Sequence, residues 1–385
     1  MGQRRITLVS PTDYIRFQTG GVVAHCREFL RYTPKPGTIA AVGSTIDPGV
    51  PLGRWMPYPL RPEVATMAVY RTSLAEYQRR RVPFTLAFVP RLMPRIAQLM
   101  NEAHCVYAQS MELALPFLAL RRGGKPRVVV AVHGLQSPSL FPGFRRVYPW
   151  LQRWGVHKAD GVVLVSHDEV ERYSDRYPAA RHKLHLVQNG VDVKRFFPMD
   201  KRVVRARLGL PADAPVLAYV GRLSAEKDVR LTLDTFARVK RGRSNAMLLI
   251  VGEGPQRSAL ERHVLEGGLT DVRFLGEVSP DEMPAIYSAM DVLLLTSVFE
   301  GMPMTVIEAL ACGVPAVTTP VGECVRLLRA AGVGFTSTGR DPGELAALAE
   351  RVLAGAGSSD ACRALALEHS AQRMADELFG LLGAA

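Results

Sequence analysis

The sequence lacks any apolar stretch long enough to cross a membrane as a helix, which requires about 20 consecutive apolar residues. Its apolar runs are short, such as Val128–Val132 and Met247–Val251, and runs of this length are typical of strands buried on both faces of a parallel sheet. The first residues lack the apolar core of a signal peptide, and Ile6 stands where a myristoylation signal has Ser or Thr. We therefore expect a cytoplasmic protein.

Cysteine is scarce, and its five residues form no C-x-x-C or His-rich arrangement. Disulfide scaffolds and structural zinc sites require cysteines that are paired or closely spaced. The sequence therefore predicts buried, reduced thiols in a reducing compartment.

Two patterns of other nucleotide-dependent enzymes are also absent. No D-x-D occurs, so the chain lacks the motif whose two carboxylates bridge a metal ion to a diphosphate in other enzymes. No G-x-G-x-x-G opens a helix, and no acidic residue follows a glycine turn at the ribose-binding spacing, which disfavours a dinucleotide-binding oxidoreductase. We expect no metal ion and no cofactor.

Acidic residues are scarce, but only in the first half of the chain. Residues 1–195 carry 28 Lys and Arg against 13 Asp and Glu, whereas residues 196–385 carry 20 against 23, and the whole chain has a net charge of +12. A basic half is typical of a phosphate-rich partner, an anionic membrane surface or nucleic acid. A coding bias toward arginine is the alternative, although it does not explain why one half holds the excess.

Short buried strands alternate with amphipathic helices twice over, which predicts an α/β protein with two doubly wound parallel sheets. We expect the following strands in the two halves: Ile6–Ser10, Ile39–Val42, Cys105–Gln109, Val128–His133 and Val162–Ser166, then Val216–Val220, Met247–Val251, Val272–Leu275, Val292–Leu295 and Ala316–Thr318. Residues 54–99 contain several prolines and mixed periodicity, and they give no usable boundaries.

The join between the two halves is predicted at Gln188–Asp192, a turn-forming run where the charge balance also changes. We expect an N-terminal domain over residues 1–190, a C-terminal domain over residues 191–366 and a final helical segment over residues 367–385. In open α/β sheets, ligands bind beyond the carboxyl ends of the strands. Polar and glycine-rich segments that follow strands are therefore the candidate sites.

The first such segment is V-G-R-L-S-A-E-K, Val220–Lys227. Gly221 follows a strand, and Arg222 and Lys227 lie in the loop beyond it. Two cations at a strand end suit a diphosphate, because Arg offers a planar fork of donors and Lys a point charge. Two ordinary surface cations are the alternative interpretation.

The second segment is F-E-G-M-P-M-T-V-I-E-A-L-A-C-G-V-P, in which Glu300 lies in a loop and Glu308 in the following helix. One carboxylate on the loop and one in the helix could hold two separate sets of hydroxyl groups. The alternative is a helix cap and a solvated glutamate. Pro303 fits the first turn of the helix, where its missing N–H is not needed. The N–H groups of Gly301, Met302, Met304 and Thr305 at the start of the helix would face an anion, whereas Pro303 among them has no N–H to offer.

Two weaker signals lie in the first half. Gly20 and Gly21 open the first helix, where backbone can approach a phosphate, although a glycine pair there is often only a tight turn. His133 ends a buried strand, a position at which a lone histidine is more often structural than catalytic.

Taken in their order, these segments resemble the large retaining glycosyltransferase family with the GT-B fold and the E-x7-E signature, glycosyltransferase family 4. The resemblance covers nearly the whole chain, from Gly20-Gly21 and His133-Gly134 through Asn189–Asp192 and Val251–Pro255 to Glu300–Glu308. It implies two Rossmann-like domains facing across a cleft. It also implies a C-terminal helix that packs back on the N-terminal domain.

The resemblance implies a role for each candidate residue. Arg222 and Lys227 would hold the diphosphate of a nucleotide-sugar donor, with Gly221 at the strand end, and we expect that donor to be UDP- or GDP-linked. Glu308 would bind the ribose and Glu300 the transferred sugar, while the backbone of Gly301–Thr305 would contact the sugar and phosphates. Gly20 and Gly21 would approach the diphosphate from the other domain, and His133 would lie near the reacting centre.

One departure from the family pattern concerns Glu323, which follows Gly322 directly instead of after a second glycine and a spacer. We assign it no ligand role.

The resemblance implies a retaining, metal-independent transfer to a glycan, a lipid-linked saccharide or a small molecule. Another GT-B enzyme, such as an epimerase or phosphorylase, is the alternative. We expect no nucleic-acid partner, because no nucleic-acid module occurs and the phosphate-handling residues lie in the acidic half. The basic stretch Arg71–Arg95 would allow peripheral contact with an anionic membrane.

Overall fold

The computed structural model describes residues 5–14, 21–73, 84–133, 144–331 and 333–383. These residues form two compact units. The first contains the described residues up to Gly190 together with those from Ala371 onward, and the second is Val191–Ser370. Residues 367–370, which the sequence analysis placed in the C-terminal segment, thus belong to the second unit. All five cysteines are buried and unpaired, as the sequence predicts.

The sheet of the first unit has eight strands in the order β3-β4-β2-β1-β5-β6-β7-β8. Their bounds are Arg5–Val9 (β1), Ile39–Thr45 (β2), Met56–Tyr58 (β3), Arg61–Arg71 (β4), Ala103–Ala108 (β5), Arg127–Val132 (β6), Gly161–Leu164 (β7) and Leu184–Leu186 (β8). Every residue of β2 and β7 is buried, and five of the six in β6 are. Continuous burial of this kind fits strands that are covered by helices on both faces.

One pair of strands departs from the predicted all-parallel arrangement. β3 and β4 run antiparallel, with Tyr58 paired to Arg61 across a two-residue connection. So short a connection can join only antiparallel strands, because a parallel crossover needs a dozen or more residues. Arg61 also donates from Nη1 to the backbone oxygens of Arg31 and Thr33, at 2.6 and 2.7 Å, and so fixes this edge to the end of the first helix.

The helices of the first unit are Gly21–Tyr32 (α1), Phe84–Leu92 (α2), Ile96–Glu102 (α3), Met111–Leu120 (α4), Phe144–Lys158 (α5) and His167–Arg176 (α6), with the C-terminal helix Ala371–Gly383 (α15). Met374 and Leu378 of α15 are buried in one core cluster with Phe29 and Leu30 of α1. The spacing of four residues places both apolar side chains on the same face of α15. The C-terminal helix therefore packs into the core of the N-terminal unit.

The second unit has six parallel strands in the order β11-β10-β9-β12-β13-β14. They are Val216–Val220 (β9), Met247–Val251 (β10), Val272–Gly276 (β11), Val292–Leu295 (β12), Ala316–Thr318 (β13) and Gly334–Thr336 (β14). The order reverses beside β9, which lies between β10 and β12. The ends of β9 and β12 therefore flank a topological switch point, where ligands of open α/β sheets bind.

Eight helices belong to the described residues of this unit. They are Lys201–Arg207 (α7), Val229–Gly242 (α8), Arg257–Glu266 (α9), Met283–Ala289 (α10), Met304–Ala311 (α11), Cys324–Ala331 (α12), Pro342–Leu353 (α13) and Ser359–Glu368 (α14). Leu233 and Phe236 of α8 pack with Leu217 and Tyr219 of β9 in one core cluster. This packing anchors the strand end that carries Gly221 and Arg222.

Candidate functional site

Lys227 and Glu300 meet in the second unit at the ends of neighbouring strands. Lys227 closes a short 3₁₀ turn after β9, and Glu300 lies in the loop after β12. The Lys227 ammonium donates to Glu300 Oε1 at 2.5 Å, and the Ser297 hydroxyl donates to the same oxygen at 2.6 Å. The side chain of Lys227 is 26% exposed and that of Glu300 12%. The pair is thus sheltered but still open to a ligand.

Backbone contacts join the two loops that carry this pair. Val298 donates its N–H to the oxygen of Glu226 at 2.8 Å, and the Thr296 hydroxyl donates to the oxygen of Asp228 at 3.0 Å. Arg340 donates to the oxygen of Ser297 at 2.7 Å and to the Asp228 carboxylate. The loops after β9 and β12 therefore form one platform, which fixes the spacing of Lys227 and Glu300.

Close backbone packing shapes the strand end before Lys227. Gly252 has φ of 125°, and a Cβ there would stand 2.0 Å from the backbone oxygen of Gly221. The Tyr219 hydroxyl donates to the backbone oxygen of Arg222 at 3.0 Å. The Arg222 side chain itself is exposed. The structure therefore holds the backbone of Arg222 in place while its guanidinium faces solvent, outside the Lys227–Glu300 pair.

Glu308 lies in the second turn of α11 and is bound by a tyrosine of α10. The Tyr287 hydroxyl donates to Glu308 Oε2 at 2.6 Å. Burial raises the pKa of the Glu308 carboxyl to about 7, against the lowering effects of this hydrogen bond and of the Arg195 charge. Burial likewise raises the pKa of Tyr287. Glu308 and Glu300 have separate partners, and the structure brings them into no shared hydrogen bond among the described residues.

The start of α11 has no side-chain cap. Pro303 is the residue that precedes the helix, one position earlier than the first turn predicted for it. Met302 is buried, so it can offer a ligand only its backbone, while Met304 and Thr305 are half-buried. Gly322, with φ of 47°, packs so closely that a Cβ would stand 2.1 Å from the oxygen of Gly301. The loop around Gly301 is thus fixed by its close packing against Gly322.

Glu323, to which the sequence analysis gave no ligand role, is 1% exposed, and its N–H donates to the oxygen of Gly301 at 3.0 Å. Its backbone therefore supports the same loop.

In the first unit, Gly21 begins α1, and apart from its chain neighbours and the backbone of its own helix, no described atom lies within 4 Å of where its Cβ would stand. That open space is compatible with a ligand near the helix start. Gly20 and Gly134 lie outside the described residues.

His133 follows β6 and belongs to a polar cluster of five side chains, which we call the histidine cluster: His25, Tyr107, Gln109, His133 and Asn189. His133 Nε2 lies 2.7 Å from Gln109 Oε1, and its ring meets the ring of His25 edge-on at a centroid distance of 5.0 Å. His25 in turn lies 2.9 Å from both Asn189 Oδ1 and the Tyr107 hydroxyl.

Desolvation decides the charge of this cluster. Burial lowers the pKa of His25 to about 4 and, with a contribution from His25, that of His133 well below its usual range. Both rings are therefore neutral at neutral pH. Of these five, only His133 was predicted as a site residue; Asn189 entered the sequence analysis as part of the domain join and of the family resemblance, without a role. The other members carry no motif, and only the position of Gln109 at the end of a predicted strand could have indicated it.

No group of three His, Cys, Asp or Glu side chains in the described part of the chain is arranged to hold a metal ion. Within the same residues, no helix combines the length and the apolar character needed to span a bilayer.

Two family models match successive parts of the chain. Residues 19–195 match the model described as Glycosyltransferase Family 4, and residues 200–368 match Glycosyl transferases group 1. The boundary between the two matches falls near the division between the two structural units.

Two curated proteins illustrate the sequence relatives. The 2-deoxystreptamine glucosyltransferase of Streptomyces kanamyceticus is 33% identical over 206 residues, which are 52% of this chain and 52% of that protein. The GDP-mannose-dependent monoacylated alpha-(1-6)-phosphatidylinositol monomannoside mannosyltransferase of Corynebacterium glutamicum is 26% identical over 363 residues, 90% of this chain and 88% of that protein. The chain spans about half the length of the first of these.

Among solved structures, Anabaena HepE in complex with UDP and glucose superposes with a TM-score of 0.76 at 16% identity, over 99% of this chain and 100% of the other. At this identity the likeness concerns the fold. It agrees with the predicted GT-B architecture of two Rossmann-like domains.

Proposed function

We propose that the chain is a GT-B glycosyltransferase, built from a family 4 domain followed by a group 1 domain, and that it transfers a sugar from a nucleotide-diphosphate sugar to an acceptor. Transfer would retain the anomeric configuration and would need no metal ion. The observation that carries this proposal is the sheltered Lys227–Glu300 pair beside the uncapped start of α11.

The charges at this place suit a diphosphate leaving group. Negative charge builds on the diphosphate as the sugar–phosphate bond breaks, and preorganised cations and N–H groups lower the energy of that state. Lys227 would supply positive charge once a diphosphate competes with Glu300 for its ammonium. The exposed Arg222 would supply a second positive charge. The first N–H groups of α11 would add the dipole of a helix start.

The two glutamates would then divide the rest of the donor. Glu300, released from Lys227, would accept hydrogen bonds from hydroxyls of the transferred sugar. Glu308, with Oε2 already bound by Tyr287, would use its remaining lone pairs for the ribose hydroxyls. The acceptor would attack on the face of the leaving group, with a diphosphate oxygen taking its proton. We nominate no side-chain base.

The relatives suggest which donors and acceptors to try. Their names mention UDP, glucose and GDP-mannose on the donor side, and 2-deoxystreptamine and a phosphatidylinositol mannoside on the acceptor side. We propose a UDP- or GDP-sugar as donor and a glycan, a lipid-linked saccharide or a small molecule as acceptor. A cytoplasmic location with peripheral contact to an anionic membrane fits the basic first half and belongs to the same proposal.

A donor screen tests the proposal. Thermal shift with UDP, GDP, UDP-glucose and GDP-mannose identifies the nucleotide, and mass spectrometry of mixtures with candidate acceptors identifies the product. We expect nucleoside diphosphate release that depends on an acceptor. Isomerised donor without any acceptor product would indicate an epimerase, and absence of binding to every nucleotide would contradict the proposal.

A further inference from the structure

Asp228, the residue after Lys227, has a backbone conformation that is unusual for a residue with a side chain. Its φ is 41° and its ψ is 57°, in the left-handed region that glycine adopts freely and other residues rarely adopt. A residue keeps such a conformation only where its surroundings hold it, and residues of this kind concentrate at functional sites. The contacts of Asp228 therefore show what fixes the backbone beside Lys227.

Two contacts of Asp228 need its carboxylate. Oδ1 accepts the N–H of Leu231 at 3.4 Å and so caps α8, and Oδ2 accepts a hydrogen bond from Arg340 Nη2. A glycine at this position would keep the left-handed backbone without strain, but it would have neither contact. Aspartate here therefore adds a helix cap and an ion pair with Arg340 that glycine cannot form.

Arg340 joins the Asp228 carboxylate to the loop that carries Glu300. Its Nη1 donates to the backbone oxygen of Ser297 at 2.7 Å, while Nη2 donates to Asp228. The hydroxyl of the same Ser297 donates to Glu300 Oε1 at 2.6 Å. One guanidinium group thus connects the residue next to Lys227 with the residue that holds Glu300. Because both NH2 groups belong to one rigid plane, the guanidinium also fixes the distance between its two acceptors.

The backbone on both sides of Arg340 is itself held. The Ser337 hydroxyl donates to the oxygen of Gly339 at 2.6 Å, and Asp341 Oδ1 accepts the N–H of Glu344 at 2.8 Å and so caps α13. These residues follow β14, an edge strand that is separated from β12 by β13. The Arg340 side chain therefore connects a fixed loop at the edge of the sheet to the two loops at the switch point.

The Lys227–Glu300 ion pair cannot position its own members once a donor is bound. In the proposed function the diphosphate takes the Lys227 ammonium and the sugar hydroxyls take the Glu300 carboxylate, so the bond between the two side chains is broken. Arg340 bonds other groups, the Ser297 oxygen and the Asp228 carboxylate, which the proposed donor contacts do not use. Its contacts therefore remain available while the donor is bound.

We propose that Arg340 is a positioning residue for sugar transfer: by bonding Asp228 and Ser297 together, it keeps Lys227 and Glu300 at the spacing that the reacting donor requires. The proposal rests on the proposed function, from which it takes the donor contacts of Lys227 and Glu300. In this role Arg340 acts through these two residues and not on the substrate itself. Its removal should affect the transition state, where geometry is demanding, more than the binding of a free nucleoside diphosphate, whose phosphates can adjust.

The experiment measures two quantities in Arg340→Ala and Arg340→Lys. The first is kcat for transfer from UDP-glucose or GDP-mannose to the acceptor that the donor screen identifies, and the second is the affinity for free UDP or GDP, measured by calorimetry. Arg340→Lys keeps the charge, but a single ammonium does not reproduce the planar fork. Asp228→Gly removes the carboxylate that Arg340 bonds and retains a residue suited to the left-handed backbone, so it serves if Arg340→Ala does not fold.

Arg243→Ala is the matched control. Arg243 follows the last residue of α8, at the opposite end of the helix from Asp228, and forms an ion pair with Glu350. The side chains of Arg243 and Arg340 are each 34% exposed. The control thus removes an equally exposed arginine–carboxylate pair from the same unit, away from the candidate site.

We expect Arg340→Ala to lower kcat by about 10- to 100-fold, as for a small displacement of reacting groups. The affinity for the free nucleoside diphosphate should change by less than about 3-fold. Arg340→Lys should recover only a minor part of kcat, and Asp228→Gly should resemble Arg340→Ala. Arg243→Ala should leave both quantities as in wild type.

A cycle of double variants separates positioning from a general weakening of the fold. If Arg340 acts through Lys227, Arg340→Ala should lower kcat by a smaller factor in a Lys227→Ala background than in wild type, because one of the groups that it positions is already gone. An equal factor in both backgrounds would overturn the positioning role.

Three further results would also overturn it. Wild-type kcat in Arg340→Lys would show that charge alone suffices, and an Arg340→Ala variant as active as Arg243→Ala would show that the clamp is not needed. A loss of nucleoside diphosphate affinity as large as the loss of kcat would make Arg340 a direct ligand contact instead. A wild-type protein that transfers no sugar would refute the proposed function itself, before any variant is compared.

Discussion

Lys227 and Glu300 are 73 residues apart in sequence, yet the Lys227 ammonium and Glu300 Oε1 are separated by 2.5 Å. The pair exists because the chain places the loops after β9 and β12 side by side and ties them together through Val298 and Glu226. An ion pair in this position keeps each side chain oriented before a ligand arrives. It also means that a diphosphate must compete with a carboxylate for the ammonium.

Replacing the cations should slow transfer more than it weakens folding. We expect Arg222→Ala or Lys227→Ala to lower kcat by about 10²- to 10³-fold, as for other preorganised electrostatic contacts. Steady-state kinetics measure the effect. Lys201→Ala is the matched control. Lys201 lies on the exposed helix α7 of the same unit and forms an ion pair with Asp291. A folded Arg222→Ala/Lys227→Ala double variant with near-normal kcat would show that the diphosphate binds elsewhere.

A binding experiment should distinguish the roles of Glu300 and Glu308. Glu308→Ala removes the proposed ribose contact and should weaken binding of free UDP or GDP, whereas Glu300→Ala should leave that binding intact and damage transfer. Calorimetry with the nucleoside diphosphate alone distinguishes them. Equal losses in the two variants would contradict the assignment.

Strand positions could be predicted wherever a strand is buried on both faces. The bounds of β9, β10, β12 and β13 were predicted to the residue, because a run such as Met247–Val251 is uniformly apolar. Strands β3, β4, β8 and β14, which lie at or next to an edge of their sheet, could not. β4 is partly exposed along its length and contains Pro62 and Glu63, and β14 has only three residues. Neither carries the continuous apolar signal of a central strand.

The site was predictable only in part, for a different reason. Candidate residues could be identified from their positions after strands and from the family resemblance, but contacts between distant segments could not. The direct bond between Lys227 and Glu300 and the hydrogen bond from Tyr287 to Glu308 depend on how the strands are ordered in the sheet. The histidine cluster draws its members from α1 and from three separate strand ends, and no spacing in the sequence relates them.

Glu308 should make stability depend on pH. Its folded-state pKa is raised from 4.5 to about 7, so the folded state binds a proton that the unfolded state releases between these values. The contribution of this group to the free energy of unfolding is therefore fully present below pH 4.5 and is lost as the pH rises through 7. The loss is at most about 1.4 kcal/mol per pH unit. His25, with a lowered pKa, acts in the opposite direction between pH 4 and 6.5.

A variant isolates the contribution of Glu308. The side chain of Glu308→Gln stays neutral at every pH. The free energy of unfolding of this variant, measured with urea, should therefore rise relative to that of wild type between pH 5 and pH 8. The other titrating groups, His25 included, are common to both proteins and cancel in the difference. A difference that stays constant across this range would show that Glu308 is already ionised in the folded protein at pH 5.

Chelation should leave the activity intact. The sequence has no D-x-D, and Arg222, Lys227 and the start of α11 are proposed to neutralise the diphosphate without a metal ion. We expect the same transfer rate with and without excess EDTA. Activity that is lost to EDTA and restored by manganese or magnesium would overturn this expectation.

The basic first half yields the last prediction, which concerns membranes. The run Arg79-Arg80-Arg81 lies within the basic stretch Arg71–Arg95 and outside the described residues. Near an anionic surface each such cation contributes about 1 kcal/mol, an attraction that salt screens. We expect the protein to sediment with anionic vesicles at low salt and to be released by added salt, with no binding to neutral vesicles.

The triple variant Arg79→Glu/Arg80→Glu/Arg81→Glu should lose this binding. The matched control reverses three exposed arginines of the second unit, Arg202→Glu/Arg207→Glu/Arg241→Glu, which changes the net charge equally. If both triple variants lose binding to the same extent, the attraction comes from total charge rather than from this run. If wild type binds both kinds of vesicle equally, or neither at low salt, the excess of arginine is a property of the surface alone, and the acceptor does not have to be sought at a membrane.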